Sequence, residues 1–309
     1  MEFIVAILLL VVGFVMLIKG ADWFVDGSAG IAARFGIPQL VIGLTIVAMG
    51  TSAPEAAVSI TAAMSGNAGI TIGNVVGSNI LNVLIILGLT AVITTVPVQK
   101  STVKWEMPFM HIITLVLVVL GATGGQINFL EGVVLWALFL LYLGYLFKMA
   151  KTGNAEEAQE EILPLWKQLL MLAVGVVCIV YGSDLTVNNA TIIAEKLGMD
   201  DRLIGLTIVA LGTSLPEMVT SVTAARKGKA DIAIGNIVGS NVFNILFVVG
   251  TTALITSVEF QRNFLIDGMV ALASGLLLWF GVMQEHKLKR PVGILMLAAY
   301  GVYFVYLLG

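Results

Sequence analysis

One segment of this chain occurs twice. IGLTIVAMGTSAPE at 42–55 returns as IGLTIVALGTSLPE at 204–217, and IGNVVGSNILN at 72–82 returns as IGNIVGSNVFN at 234–244. Both pairs are 162 residues apart, and 29 of 48 positions are identical between 41–88 and 203–250. The match extends upstream, where Gly20-Ala21-Asp22 aligns with Gly182-Ser183-Asp184 at the same offset. A repeat of this length means that one supersecondary unit is built twice and packed against itself.

Composition decides the solvent of that unit. The chain has 309 residues, of which 59% are hydrophobic and 11% charged, against about 25% charged in a soluble domain. Its mean hydropathy is +1.02. A spanning helix takes ~20 mainly apolar residues. Runs of that kind stand at 2–19, 38–64, 70–95, 107–123, 128–148, 165–181, 203–226, 231–257, 264–284 and 291–308. The expected fold is an all-α polytopic membrane protein with ten transmembrane helices in two five-helix repeats, 1–148 and 165–309. A short acidic cytoplasmic linker, 149–164, joins them.

Five is odd, so the second repeat is expected to insert upside down. The basic residues agree with that. With the N-terminus outside, 13 of them fall inside: Lys19, Arg34, Lys100, Lys104, Lys148, Lys151, Lys167, Arg226, Lys227, Lys229, Lys287, Lys289 and Arg290. Lys196, Arg202 and Arg262 fall outside. That is the positive-inside bias. Ser65-Gly66-Asn67 in copy one matches Lys227-Gly228-Lys229 in copy two, so charge appears only on the copy expected to face inward. The expectation is a multi-pass protein of the cell membrane with both termini outside. The N-terminus carries Glu2 and no basic cluster, unlike a cleaved signal peptide. Cys178 is alone, so no intrachain disulfide forms, and it reads as a small core residue. No basic run suits nucleic acid, and no protein partner is implied.

The repeated motif carries the chemistry. Glu55 falls about seventeen residues into its span, deep in the hydrocarbon, and Glu217 falls equivalently. No Lys or Arg lies in the central part of any span, so a basic partner is largely excluded. Polar neutral groups or a cation must satisfy these acids. Thr51 and Ser52 precede Glu55 by four and three residues and share its helix face. Pro54 has no N–H and removes the helical donor of the Gly50 carbonyl, so carbonyls near Ala48 to Thr51 are expected to turn toward an ion. Ala210, Thr213, Ser214, Pro216 and Glu217 repeat the set. Ser78 and Asn82, with Ser240 and Asn244, add hydroxyls and amides. The inventory is oxygen only, which suits a hard cation such as Ca2+. Two carboxylates balance one divalent ion or most of the charge of a few monovalent ones, so different ions are expected to compete for one pocket.

Other polar residues take plainer readings. Asp22 and Asp184, near span ends, are expected to cap helices or meet the interface. Asn74 and Asn236 are expected to brace the break. Ser59 is expected to bond back to its own helix. Gly43 and Gly239 read as packing glycines. No nucleophile–base pair is visible at depth, so an enzyme is not expected, and no cofactor is called for.

With these residues in view, the chain resembles the sodium/calcium exchanger family in its compact prokaryotic form. GTSAPE and GTSLPE, with GNVVGSN and GNIVGSN, are similar to the family's two alpha repeats, and the resemblance covers essentially the whole chain. It implies alternating-access exchange of Ca2+ against several Na+. Glu55 and Glu217 would serve Ca2+ and Na+ alike, and the carbonyls of Thr51 and Thr213 would complete Ca2+ coordination. Ala48, Ser52 and Ser78 would line one Na+ site, and Ala210, Ser214 and Ser240 the other. Asn82 and Asn244 would lie at the centre. The spans ending in Gly20-Ala21-Asp22 and Gly182-Ser183-Asp184 would be sliding gates. Some relatives, potassium-dependent ones among them, carry an aspartate at the position of Asn244, so K+ co-transport is not expected. An H+/Ca2+ antiporter using the same glutamates, and a passive cation channel, remain open alternatives at this stage.

Overall fold

The computed structural model describes residues 2–152, 163–199, 208 and 210–308, with only the backbone described for Glu2 and Ala210. The helices are α1 Glu2–Phe35, α2 Gln39–Thr51, α3 Ala53–Met64, α4 Ile70–Ile93, α5 Thr102–Gly124, α6 Phe129–Thr152, α7 Leu165–Lys196, α8 Ala210–Thr213, α9 Leu215–Arg226, α10 Ala230–Ile255, α11 Asn263–Met283 and α12 Arg290–Leu308. Eight of these are long and apolar enough to span, and the bent pair α2–α3 makes a ninth among the described residues. The expected span 203–226 is represented by α8 and α9, because 200–207 and 209 lie outside the described residues. Most of the expected linker, 153–162, lies outside them as well, and α6 runs four residues into it, to Thr152.

The first span departs from its expected end at residue 19. Nothing between Gly20 and Phe35 breaks the helix, so α1 continues for 34 residues until Gly36, at φ 64°, and Pro38 end it. At 1.5 Å per residue it is about 50 Å long, well beyond the ~30 Å hydrocarbon thickness. Lys19 is therefore exposed in mid-helix, not at a span end. Asp22 and Asp184 likewise lie inside α1 and α7 and cap nothing.

α1 and α7 pack antiparallel along their lengths through small residues. A Cβ on Gly20 would lie 2.9 Å from the Gly175 carbonyl, and one on Gly175 would lie 2.7 Å from the Phe24 amide. Only glycine permits that approach. The outward faces of the pair, including Leu8, Val12, Val15, Val177 and Tyr181, are exposed and apolar, as lipid requires.

The centre belongs to α4 and α10. In their most apolar stretches 72% and 94% of residues are buried, against 39% or less for the other unbroken spans. α2 docks on α10 backbone to backbone, since a Cβ on Gly235 would lie 2.9 Å from Gly43 Cα and one on Gly239 would lie 2.7 Å from the Leu44 carbonyl. The packing reading of Gly43 and Gly239 therefore holds. Two small strand pairs join the repeats at their margins: β1 Val96–Pro97 with β4 Lys287–Leu288, and β2 Gln126–Ile127 with β3 Val258–Glu259.

Candidate ion-binding site

Both helices break two residues before the motif proline. Ser52, at φ −84° and ψ 7°, separates α2 from α3, and the axes bend by 49°. Ser214, at φ −93° and ψ 5°, separates α8 from α9. Pro54 and Pro216 fall in the first turn of the following half-helix, where a missing N–H costs nothing. Glu55 and Glu217 stand in the same first turns. Thr51 and Thr213 end the preceding half-helices, where carbonyls lack helical donors.

The two acids meet in the interior. Glu55 is 1% exposed and Glu217 is fully buried, and they are close enough to interact electrostatically. Ser52 Oγ donates to Glu217 Oε1 across the repeat interface at 2.8 Å. Ser240 Oγ donates to the Ala48 carbonyl at 3.4 Å, also across it. Ser78 lies beside Glu55. Thr51, Ser52, Ser214, Ser78, Ser240, Asn82, Asn244 and Ala48 are all buried. Thr213 is half-buried, and the side chain of Ala210 lies outside the described residues.

The centre holds oxygens with no partner. Glu55 Oε2, Glu217 Oε2, Ser214 Oγ, Asn82 Oδ1 and Asn244 Oδ1 are buried and make no hydrogen bond among the described residues. A buried polar atom left alone is costly, so these five, two from the carboxylates themselves and three from other side chains of the repeated motif, form a set that a hard cation would satisfy.

Asparagines fix two of those oxygens. Asn82 Nδ2 donates to Asn241 Oδ1 at 2.9 Å, and Asn244 Nδ2 donates to Asn79 Oδ1 at 3.2 Å. Asn79 and Asn241 in turn donate to each other's backbone carbonyls, at 3.2 and 3.3 Å. With both amide nitrogens tied back, the amide oxygens are left for the centre. Asn82 and Asn244 each open a π-helical turn, 82–87 and 244–249, a distortion common at functional sites. Sequence reasoning missed Asn79 and Asn241, although both stand in the repeated Gly-Ser-Asn triplet.

The bracing role of Asn74 and Asn236 holds. Asn74 Nδ2 donates to the Glu55 carbonyl at 3.2 Å and to Ser59 Oγ at 2.9 Å. Asn236 Nδ2 does the same for Glu217, at 3.4 Å, and Ser221, at 2.9 Å. Thr51 Oγ1 donates to Asn236 Oδ1 at 3.0 Å. Two expectations need correction. Ser59 serves as an acceptor for Asn74 and not as a back-bonded hydroxyl. The Ala48 carbonyl is not freed, because the Ser52 amide reaches it at 3.0 Å. In copy two the carbonyl that Pro216 frees, Gly212, accepts from Ser183 Oγ on α7 at 2.8 Å.

The family model described as sodium/calcium exchanger protein matches residues 5–148 and 167–309. The chain belongs to the sodium/calcium exchanger family. It is a multi-pass membrane transporter and not an enzyme. Sodium/calcium exchanger MaX1 of Methanosarcina acetivorans is 32% identical, with 97% of each chain covered. Inner membrane protein YrbG of Escherichia coli is 34% identical over 98% of this chain and 97% of that one. A solved structure of the sodium-calcium exchanger NCX_Mj, soaked with 2.5 mM Na+ and 10 mM Sr2+, superposes with a TM-score of 0.86 at 32% identity, covering 98% of this chain and 99% of the other.

Proposed function

We propose that this protein is a secondary antiporter that exchanges Ca2+ for Na+ across the cell membrane by alternating access. The ions are held between Glu55 and Glu217. The observation that carries this reading is the set of five buried, unpartnered oxygens, two of them from those carboxylates and three from Ser214, Asn82 and Asn244. Two negative charges match one Ca2+. The same charges, shared among Ser52, Ser78, Ser214 and Ser240, suit Na+ in place of Ca2+. Occupancy by one ion type excludes the other, and that exclusion couples the fluxes. The related NCX_Mj has been solved after soaking in Na+ with Sr2+ and in Na+ with Ca2+, which favours the same ion classes here.

The antiparallel packing of α1 on α7 supports the inverted-repeat reading, and the distribution of basic residues supports both termini outside. α1 and α7 bear on the broken helices, through Phe24 against Gly50 and Ser183 on Gly212, so a shift of the pair would reshape the site. The hydroxyls flanking the carboxylates favour Na+ over H+ as the counter-ion, because a proton needs no such cage. Asn244 brings an amide where K+-dependent relatives bring an acid, so exchange needs no K+.

Proteoliposomes test this. Loaded with Na+ and diluted into Na+-free buffer, they should take up radioactive Ca2+, with or without K+. Uptake that follows a proton gradient and ignores Na+ would refute the proposal, as would Ca2+ flux without counter-transport.

A further inference from the structure

A second buried carboxylate lies outside the repeated motif. Glu106 stands on the first turns of α5, in a π-helical turn over 102–106, and is 1% exposed. One of its oxygens accepts from the Tyr145 hydroxyl of α6. The other, Oε2, has no partner. Two more buried oxygens near it are in the same condition. Thr102 Oγ1 lies one turn earlier on the same helix face, and the Tyr142 hydroxyl lies close enough to feel the Glu106 charge. Thr102 and Tyr142 are 0% and 4% exposed. No basic side chain pairs with Glu106 among the described residues.

The second repeat shows what an ordinary pair looks like at this level. There the Tyr303 hydroxyl donates to Asp267 Oδ1 at 2.8 Å between α11 and α12. Asp267 is half-buried, so solvent or headgroups can reach its other oxygen. Glu106 has no such outlet. A proton on Oε2 would remove the charge but add no hydrogen-bond partner for that atom or for the two hydroxyls. A Ca2+ ion would leave excess positive charge beside a single carboxylate. A hard monovalent cation fits the three oxygens and the one charge.

We infer that Glu106, Thr102 and Tyr142 form a site for one Na+ between α5 and α6, near the end of α5 that carries Lys104. The site is separate from the central one and does not depend on the transport reading.

The test is equilibrium binding of radioactive Na+ to the purified full-length chain. In a variant carrying Glu55→Gln and Glu217→Gln, a single Na+ should remain bound, and adding Glu106→Gln should remove it. Tyr142→Phe and Thr102→Val, each checked for a monodisperse folded peak, should weaken that Na+ at least several-fold. They keep the question decidable if Glu106→Gln fails to fold. Residual Na+ that ignores all three substitutions would overturn the site, as would no residual Na+ at all. An infrared band of a protonated carboxyl, lost in Glu106→Gln but unchanged by Na+, would also overturn it. Several Na+ retained in the double variant, one of them lost with Glu106→Gln, would uphold this site while contradicting the central one.

Discussion

The turn between α3 and α4 and the turn between α9 and α10 have one backbone and two chemistries. In the first, the Gly66 and Asn67 amides reach Ala63 and Ala62 at 3.1 and 2.8 Å. In the second, the Gly228 and Lys229 amides reach Ala225 and Ala224 at the same distances. Gly66 and Gly228 both sit at positive φ, 80° and 75°. Yet only the second turn reaches α1. Lys227 Nζ lies 3.1 Å from Asp22 and 2.8 Å from Asp26, and Lys229 Nζ lies 2.8 Å from Asp26. Burial works against the Lys227 charge, but the hydrogen bonds and attraction of Asp26 and Asp22 outweigh it and hold its pKa above the ordinary lysine value. The centre behaves in the opposite way. There Asn74 and Asn236, and Asn82 and Asn244, keep both identity and bonding, and Glu55 and Glu217 keep identity and burial. The two turns share a backbone and differ in charge, while the centre repeats its side chains as well.

The largest expected effect tests the equivalence of the two copies at the centre. Glu55→Gln and Glu217→Gln should each abolish exchange. Losing one partner of a buried charge pair costs at least ~3 kcal/mol, which is a hundredfold or more in Ca2+ affinity. A large loss in one variant and a small loss in the other, in Ca2+ uptake, would break the equivalence.

The asparagine network should come next. Asn79→Ala and Asn241→Ala each free the amide that orients an opposite asparagine, a loss of about 1–3 kcal/mol for a buried group left unpaired. Apparent ion affinity should fall by roughly tenfold in both, measured as the Ca2+ concentration for half-maximal uptake.

The turns should show the smallest effects and the clearest difference between copies. The Lys227 and Lys229 side chains are 29% and 17% exposed, so each pair is worth up to about 1 kcal/mol. Lys227→Gln with Lys229→Gln should change the exchange rate or apparent Na+ affinity a few-fold, while Ser65→Ala with Asn67→Ala should change nothing measurable. The Lys227 contribution is complete at neutral pH. Because its pKa is raised, it is lost only as pH climbs through the lysine range. Equal effects from the two turns would remove the distinction drawn between them.

Much of this was legible in the sequence. The repeat placed the disruption near Pro54 and Pro216, because a residue without an N–H disturbs the turn before it, and it placed the acids one residue later. The capping reading of Asp22 fails because hydropathy ends the first span at a charge, while the backbone ends it at Gly36 and Pro38. Asp22 and Asp26 are instead met by Lys227 and Lys229, more than 200 positions away, a pairing no local pattern encodes. Asn79 and Asn241 were missed for a similar reason. Each acts on the other copy's asparagine, so its role exists only once α4 and α10 cross. The Glu106 pocket depends on α6 returning beside α5, and no motif marks it.

The most direct measurement of the central claim is Ca2+ binding to the purified protein at equilibrium, titrated with Na+. The account requires Na+ to displace Ca2+ competitively, and requires Glu55→Gln and Glu217→Gln each to lose Ca2+ binding. Ca2+ that stays bound in either variant, or that Na+ fails to displace, would contradict a shared pocket between Glu55 and Glu217.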